Sequence, residues 1–149
     1  METKTKLQKC WIWDKSVSDF VRSRVNGYSL NVCAGKSEIG DVKIDLDPKD
    51  KSVIKGDMRH LPFKDNTFDT VIQDPPWKIG FYQRMTPFFE CVRVCKIGGL
   101  IIYNAYWIPT SKQVKLKELF VRQDTNWSNT SIISIFEKID PEISRENNK

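Results

Sequence analysis

Asp74, Pro75, Pro76 and Trp77 stand together at the end of an apolar run, and they bring a carboxylate, main-chain carbonyls and an indole ring to one place. The run itself, Phe68, Asp69, Thr70, Val71, Ile72 and Gln73, is rich in β-branched and aromatic residues and reads as a strand. The prolines end it, because neither carries an N–H and both hold φ near about −65°. Such a cluster suits a planar amine: acceptors for its N–H groups, and a ring on which the attached base can stack. The plainer alternative is that the prolines merely stop a strand and Trp77 anchors the core.

A second group of residues could hold a nucleotide-like ligand. Asn31, Val32, Cys33, Ala34, Gly35, Lys36 and Ser37 describe a strand passing into a turn of small residues, where backbone can approach a ligand closely. Asp45, with Leu46 beside it, ends the next apolar run, where a carboxylate can accept hydrogen bonds from a ribose diol. Asp57 follows Gly56 at the end of a third run, next to Met58, and could face a purine amine. A carboxylate ending a strand is more often a turn former, but three in consecutive order before the Asp74 cluster argue for a site. Gly35, Lys36 and Ser37 also match the end of a phosphate-binding P-loop. Leu30 stands where that loop needs its first glycine, so the P-loop reading fails.

The elements that must position these groups follow from periodicity and punctuation. Residues 15–25 suggest a helix that Ser16 or Ser18 could cap, with Phe20, Val21 and Val25 on its apolar face. Strands are expected at 30–33, 42–46, 53–54, 68–73 and 100–103, and an alternating one at 130–137. Asp65 and Asn66 make a turn; helices are expected at 81–95, with Phe81, Phe88, Phe89 and Val92 apolar, and at 111–120. Gly98 and Gly99 close the first of these helical units. Near-continuous apolar strands separated by helices predict an α/β sheet, mostly parallel, with an antiparallel C-terminal strand. One domain over 1–140 accounts for the chain, and the polar tail 141–149 reads as disordered.

Composition narrows the function classes without choosing among them. The 149 residues are 40% hydrophobic and 29% charged, ordinary for one globular domain. No apolar run nears the roughly 18 residues of a membrane span, and residues 1–6 lack a secretory pattern, so a cytoplasmic location is expected. Cys10, Cys33, Cys91 and Cys95 have no CxxC spacing and His60 is the single histidine, so a metal site is not expected. The net charge of +5 and pI near 9.0 mildly favour an anionic partner such as DNA or RNA, or else describe a solvated surface.

From about Leu30 to Ile108 the order of motifs resembles the class I S-adenosyl-L-methionine-dependent methyltransferases, specifically the amino-methyltransferases that modify adenine at N6. The Asp74-Pro75-Pro76-Trp77 tetrapeptide is the most specific element, and the segment from Leu61, Pro62 and Phe63 to Phe68 and Asp69 is similar to the family's LPF…FD stretch. The resemblance implies a Rossmann-like fold and S-adenosyl-L-methionine as cofactor. It implies Asn31, Cys33, Ala34 and Gly35 around the methionine part, Asp45 and Leu46 at the ribose, Asp57 and Met58 at the adenine, and Asp74 facing both cofactor and acceptor. The chain departs from the family's glycine loop: only the middle glycine, Gly35, remains, and Asn31 replaces an acid. Only eight residues, 37–44, separate the loop from Asp45, so a fold trimmed of one or two crossover helices is expected. A bared sheet face would invite a homodimer or a partner protein.

The chemistry implied is in-line methyl transfer to an exocyclic base amine, with Asp74, Pro75, Pro76 and Trp77 as the catalytic group. Asp74 and the Pro75 carbonyl would each accept an N–H, turning the nitrogen lone pair towards the methyl carbon, while Trp77 stacks on the base. Trp11, Trp13, Tyr106 and Trp107 are candidates to line the mouth of the site or to fill the core. A methyltransferase of small molecules or proteins, and a silent partner subunit, are the alternatives.

Overall fold

The computed structural model describes Trp13, residues 15–76, Gly80, residues 83–123 and residues 130–146. Helix α1 (Lys15–Arg24) comes first, followed by strands β1 (Ser29–Val32), β2 (Val42–Asp45), β3 (Ile54–Lys55) and β4 (Phe68–Gln73). Helix α2 (Met85–Val94), strands β5 (Cys95–Ala105), β6 (Val114–Gln123) and β7 (Thr130–Lys138), and helix α3 (Pro141–Glu146) complete the described chain. The seven strands form one sheet in the order β3-β2-β1-β4-β5-β7-β6. The first five pair in parallel, and β7 lies antiparallel to both β5 and β6. This is the mostly parallel, Rossmann-like sheet that the sequence predicts, closed by an antiparallel pair rather than a single strand.

Side-chain alternation sorts the core onto two faces. Leu30, Val32, Ile44, Val71, Ile101 and Tyr103 point to one face, where Phe88, Cys91 and Val92 of α2 cover them at helical spacing. Ile72, Ile102, Ile133 and Ile135 point to the other, under Val17 and Val21 of α1. α1 is held at its far end by Phe20 stacked on Phe120 at 4.5 Å and by Arg24 paired with Glu118. Ser18 donates its hydroxyl to the Trp13 carbonyl, so it acts within the helix and not as its N-cap.

Trimming goes further than expected. The links β1–β2, β2–β3, β3–β4 and β5–β6 contain no helix, where the loop spacing suggests one or two losses. Loops do the covering instead. Ile39, from the nine residues between β1 and β2, is buried against the α1 side. Leu61, Met58 and Phe63, from the β3–β4 link, pack on the α2 side. Arg93 of α2 fastens that link, donating to the Leu61 and Phe63 carbonyls at 3.0 and 2.8 Å while paired with Glu90 and Asp65. The LPF segment is thus a lid over the sheet's first strands.

Three further expectations are corrected. Residues 111–120, predicted helical, lie largely in β6, because β7 presents a full ladder of backbone groups that only a strand can pair. The lysines and glutamate there favour a helix, and tertiary pairing overrides them. The polar tail contains the short helix α3 over Pro141–Glu146, where composition suggests disorder. Gly98 and Gly99 lie inside β5, which starts directly at the end of α2.

Candidate active site

Strand order reverses between β1 and β4: β2 and β3 extend the sheet one way from β1, and β5 extends it the other way from β4. The crevice at the C-terminal ends of such a pair is the binding position of open α/β sheets. Here Cys33 leaves β1, Asp74 leaves β4 and the Asp74 N–H donates to the Val32 carbonyl at 3.5 Å. Pairing of Gln73 with Tyr103 puts the next residues, Asp74 and Asn104, side by side on one face. A small cleft here is lined by Trp13, Asn31, Cys33, Ala34, Ser37 and Asp74.

The Asp74 carboxylate is held from two sides. Trp13 Nε1 donates to Oδ2 at 2.7 Å and Asn104 Nδ2 donates to Oδ1 at 3.1 Å. An aromatic N–H therefore already rests on Asp74. Pro75 is buried and Pro76 exposed; Trp77, Trp11 and Phe81 lie outside the described residues. Of the other aromatic candidates, Trp13 lines the cleft, while Tyr106 and Trp107 pack edge to face on one another beyond β5.

The small-residue loop closes on itself. Cys33 has φ 59°, a left-handed conformation rare outside glycine, and Gly35 follows with φ 54°. Strain at a non-glycine residue gathers at functional loops. The Gly35 N–H donates to Asp45 Oδ2 and the Asp47 N–H to Oδ1, both at 2.9 Å, so Asp45 braces the loop from the end of β2. Asn31 is buried and donates its amide to the Ile39 carbonyl at 3.0 Å, pinning the short β1–β2 link. Gly40 in that link has φ +105°, and a Cβ there would lie 3.0 Å from Asn31 Cβ.

Electrostatics show how closely the acids converge. Burial pushes the Cys33 thiol up, and Asp45, Asp74 and Asp57 each push it further, so the thiol stays protonated. Its sulfur lies 3.5 Å from Met58 Sδ. Asp57 behaves differently from Asp45. Its carboxylate is wrapped by the Nε, Nη2 and main-chain N–H of Arg59, and these hydrogen bonds hold its pKa down at about 2. Leu46 is 67% exposed and turns away from the crevice.

The structure thus brings Asn31, Cys33, Ala34, Gly35, Asp45, Met58 and Asp74 to one edge, leaves Leu46 in solvent and ties Asp57 to Arg59. Asn104 and Ser37 are the additions. Ser37 closes the small-residue turn that the sequence marks, whereas Asn104 carries no signal of its own, being a lone polar residue in the apolar run of β5. Among the described residues no group of acidic, histidine or cysteine side chains could hold a metal ion.

A family model described as a methyltransferase domain matches residues 22–103. The chain belongs to that methyltransferase family. No curated protein matches the chain significantly. Solved structures share the fold at low identity. The N-methyltransferase NodS from Bradyrhizobium japonicum is 11% identical with a TM-score of 0.60, covering 86% of this chain and 100% of its own. The Burkholderia thailandensis 1,6-didemethyltoxoflavin-N1-methyltransferase, solved with bound 1,6-didemethyltoxoflavin and S-adenosylhomocysteine, is 10% identical with a TM-score of 0.65, covering 85% of this chain and 78% of its own. A Haloferax volcanii complex of a methyltransferase with the activator Trm112 gives 11% identity and a TM-score of 0.56, covering 84% and 94%.

The methyl donor of this family is S-adenosyl-L-methionine, and the methyltransferase's own donor set fits it. A carboxylate offers about four acceptor positions. The backbone takes one on each Asp45 oxygen, which leaves each able to accept a ribose hydroxyl. The apolar wall made by Met58 and Cys33 beside it suits a planar base.

Proposed function

We propose that this methyltransferase transfers a methyl group from S-adenosyl-L-methionine to an exocyclic amine of a nucleic-acid base, with adenine N6 as the target. The observation that supports the reading is the 2.7 Å bond from the Trp13 indole to Asp74, in which the carboxylate accepts an N–H borne by an aromatic ring. A base amine entering the cleft presents the same group and takes the indole's place. The net charge of +5 suits the phosphates that would accompany it.

S-adenosyl-L-methionine supplies an electrophilic methyl carbon when bound. Asp45 would hold its ribose, the Cys33–Gly35 loop its methionine part, and Met58 would border its adenine. Asp74 accepts one N–H of the acceptor, and that bond strengthens as positive charge grows on the nitrogen, which stabilises the transition state more than the ground state. Trp77, three residues on, is assigned the stacking surface. A base within a duplex must first be turned out of the stack.

Tritiated S-adenosyl-L-methionine offered with separate pools of DNA, tRNA, rRNA and protein tests the reading. Label in a nucleic-acid pool, recovered after digestion as an amine-methylated nucleoside, is the expected result. Label confined to protein or to small molecules would overturn it.

A further inference from the structure

Asn104 has an unusual hydrogen-bond balance. It is 5% exposed, its Nδ2 donates to Asp74 Oδ1 at 3.1 Å, and its Oδ1 is buried with no donor among the described residues. The bond to Asp74 sets the orientation of the amide, because the flipped amide would press its oxygen against a carboxylate. A buried acceptor without a donor is costly, and proteins rarely leave one unless a ligand or water completes it.

The place of this oxygen in the sheet says which ligand. Asp74 follows directly on β4, and Asn104 lies near the end of β5 beside it, one residue past the Gln73–Tyr103 pair and on the same face. Neighbouring strands are about 4.8 Å apart. An aromatic –NH2 group holds its two N–H bonds in plane at roughly 120°, so acceptors about 2.9 Å from its nitrogen stand about 5 Å apart. The 3.1 Å bond from Asn104 Nδ2 to Asp74 Oδ1 keeps the amide oxygen within about 5 Å of the carboxylate, the span of that fork. A ring carbonyl at the same place would instead bring its oxygen against two acceptors, the Asp74 carboxylate and Asn104 Oδ1.

From this we infer that Asn104 is a specificity-determining residue of the acceptor site: its side-chain oxygen receives the second N–H of the amine whose first N–H goes to Asp74, and the pair admits –NH2 while rejecting a ring carbonyl. The inference rests on the base-amine reading above and names how that site chooses. Sequence considerations assigned the second N–H to the Pro75 carbonyl; Asn104 Oδ1 is the side-chain acceptor that the fold buries at Asp74 and leaves waiting.

The test uses the full chain and single-stranded twelve-mers, as DNA and as RNA, carrying one central adenine or one hypoxanthine, which has a carbonyl in place of the amine. Binding is measured by competition in the presence of S-adenosylhomocysteine. The wild type should prefer adenine by at least tenfold on one of the two backbones. Asn104→Ala should shrink that preference to less than threefold while its affinity for S-adenosylhomocysteine stays within threefold, a pattern that general loosening would not give. Asn104→Ser, a milder change that also removes the amide oxygen, carries the same comparison if the alanine variant does not fold. A preference retained in the variants overturns the role of Asn104 and leaves the base-amine reading intact. No preference in the wild type on either backbone overturns both.

Discussion

Replacing Asp74 with alanine separates a catalytic acid from a residue that merely closes a strand. Among the described residues, the hydrogen bonds that Trp13 at 2.7 Å and Asn104 at 3.1 Å give its carboxylate disappear. Bonds to a charged partner contribute about 1.5–3 kcal/mol each when buried. Water can reach the half-buried Trp13 and Asp74 side chains and replace part of that, so the stability loss should be about 1–3 kcal/mol. For a chain of this size, each kcal/mol lowers Tm by about 2–4 °C, giving a fall of about 2–12 °C. Methyl transfer should suffer far more. Loss of one preorganised group at a developing charge lowers kcat by about 10²–10³. Affinity for S-adenosyl-L-methionine, held mainly at Asp45 and the loop, should stay within about tenfold, less than about 1.4 kcal/mol. Turnover measured well below the variant's Tm and divided by the folded fraction is the deciding number. If that number equals the wild type's while Tm falls as calculated, Asp74 is structural and the proposed chemistry is wrong.

Two other expectations concern the scaffold of the site. Gly40→Val places a β-branched side chain at φ +105° and against Asn31, so stability should fall by about 1–3 kcal/mol, and affinity for S-adenosyl-L-methionine should fall with it because the Asn31–Ile39 bond is disturbed. Urea unfolding and calorimetry read both, and an unaltered unfolding midpoint would show that the short link tolerates a side chain. The second is alkaline instability. Burial raises the Cys33 and Cys91 thiols well above their ordinary value of 9.0, Cys95 to about 12, and the Tyr103 phenol above its ordinary 10.0. The folded state therefore keeps protons that the unfolded chain releases, so stability, complete below pH 9, must decline as pH rises past it. Equal urea midpoints at pH 8 and pH 10 would contradict the burial of these groups.

How much could be read from the chain alone follows the kind of signal each feature leaves. β1, β2, β4, β5 and β7 were legible because their apolar runs are short, β-branched and bounded by turn residues. The acids Asp45, Asp57 and Asp74 were legible because each ends such a run. β6 was not, since Leu116, Leu119 and Phe120 fall at helical spacing among lysines, and only the hydrogen-bonding demand of β7 makes that segment extended. Asn104 was hidden for a different reason: its meaning lies in the register of β5 against β4, which no local pattern encodes. Asp57 was legible as a strand-end acid, but its capture by Arg59 two residues away depends on a turn conformation that the residues alone do not specify.

The trimmed architecture raises the question of what replaces the helices, and the registers answer it. On the face where crossover helices are missing beside β1, the paired residues are Asn31 with Lys43 and Asp45 with Lys55. A helix needs an apolar stripe beneath it, and this row offers none: Lys43, Asp45 and Lys55 reach solvent, while Asn31 is buried under the β1–β2 link and bonded to Ile39. The opposite face of the same strands keeps Leu30, Val32 and Ile44, and there the Leu61–Phe63 lid does the covering. Loss of helices and polarity of the bared face are thus one adaptation, written in alternate residues of β1, β2 and β3. It follows that the hydrophobic effect gives a second copy or a partner little to bury on this face. Exposed apolar side chains stand at both edges of the sheet: Leu46 and Ile54 at the β2–β3 end, and Leu116, Leu119 and Val121 of the edge strand β6, 42%, 45% and 60% exposed. β6 carries three such side chains on an edge strand, so this edge gives association a driving force away from the crevice that holds Asp74.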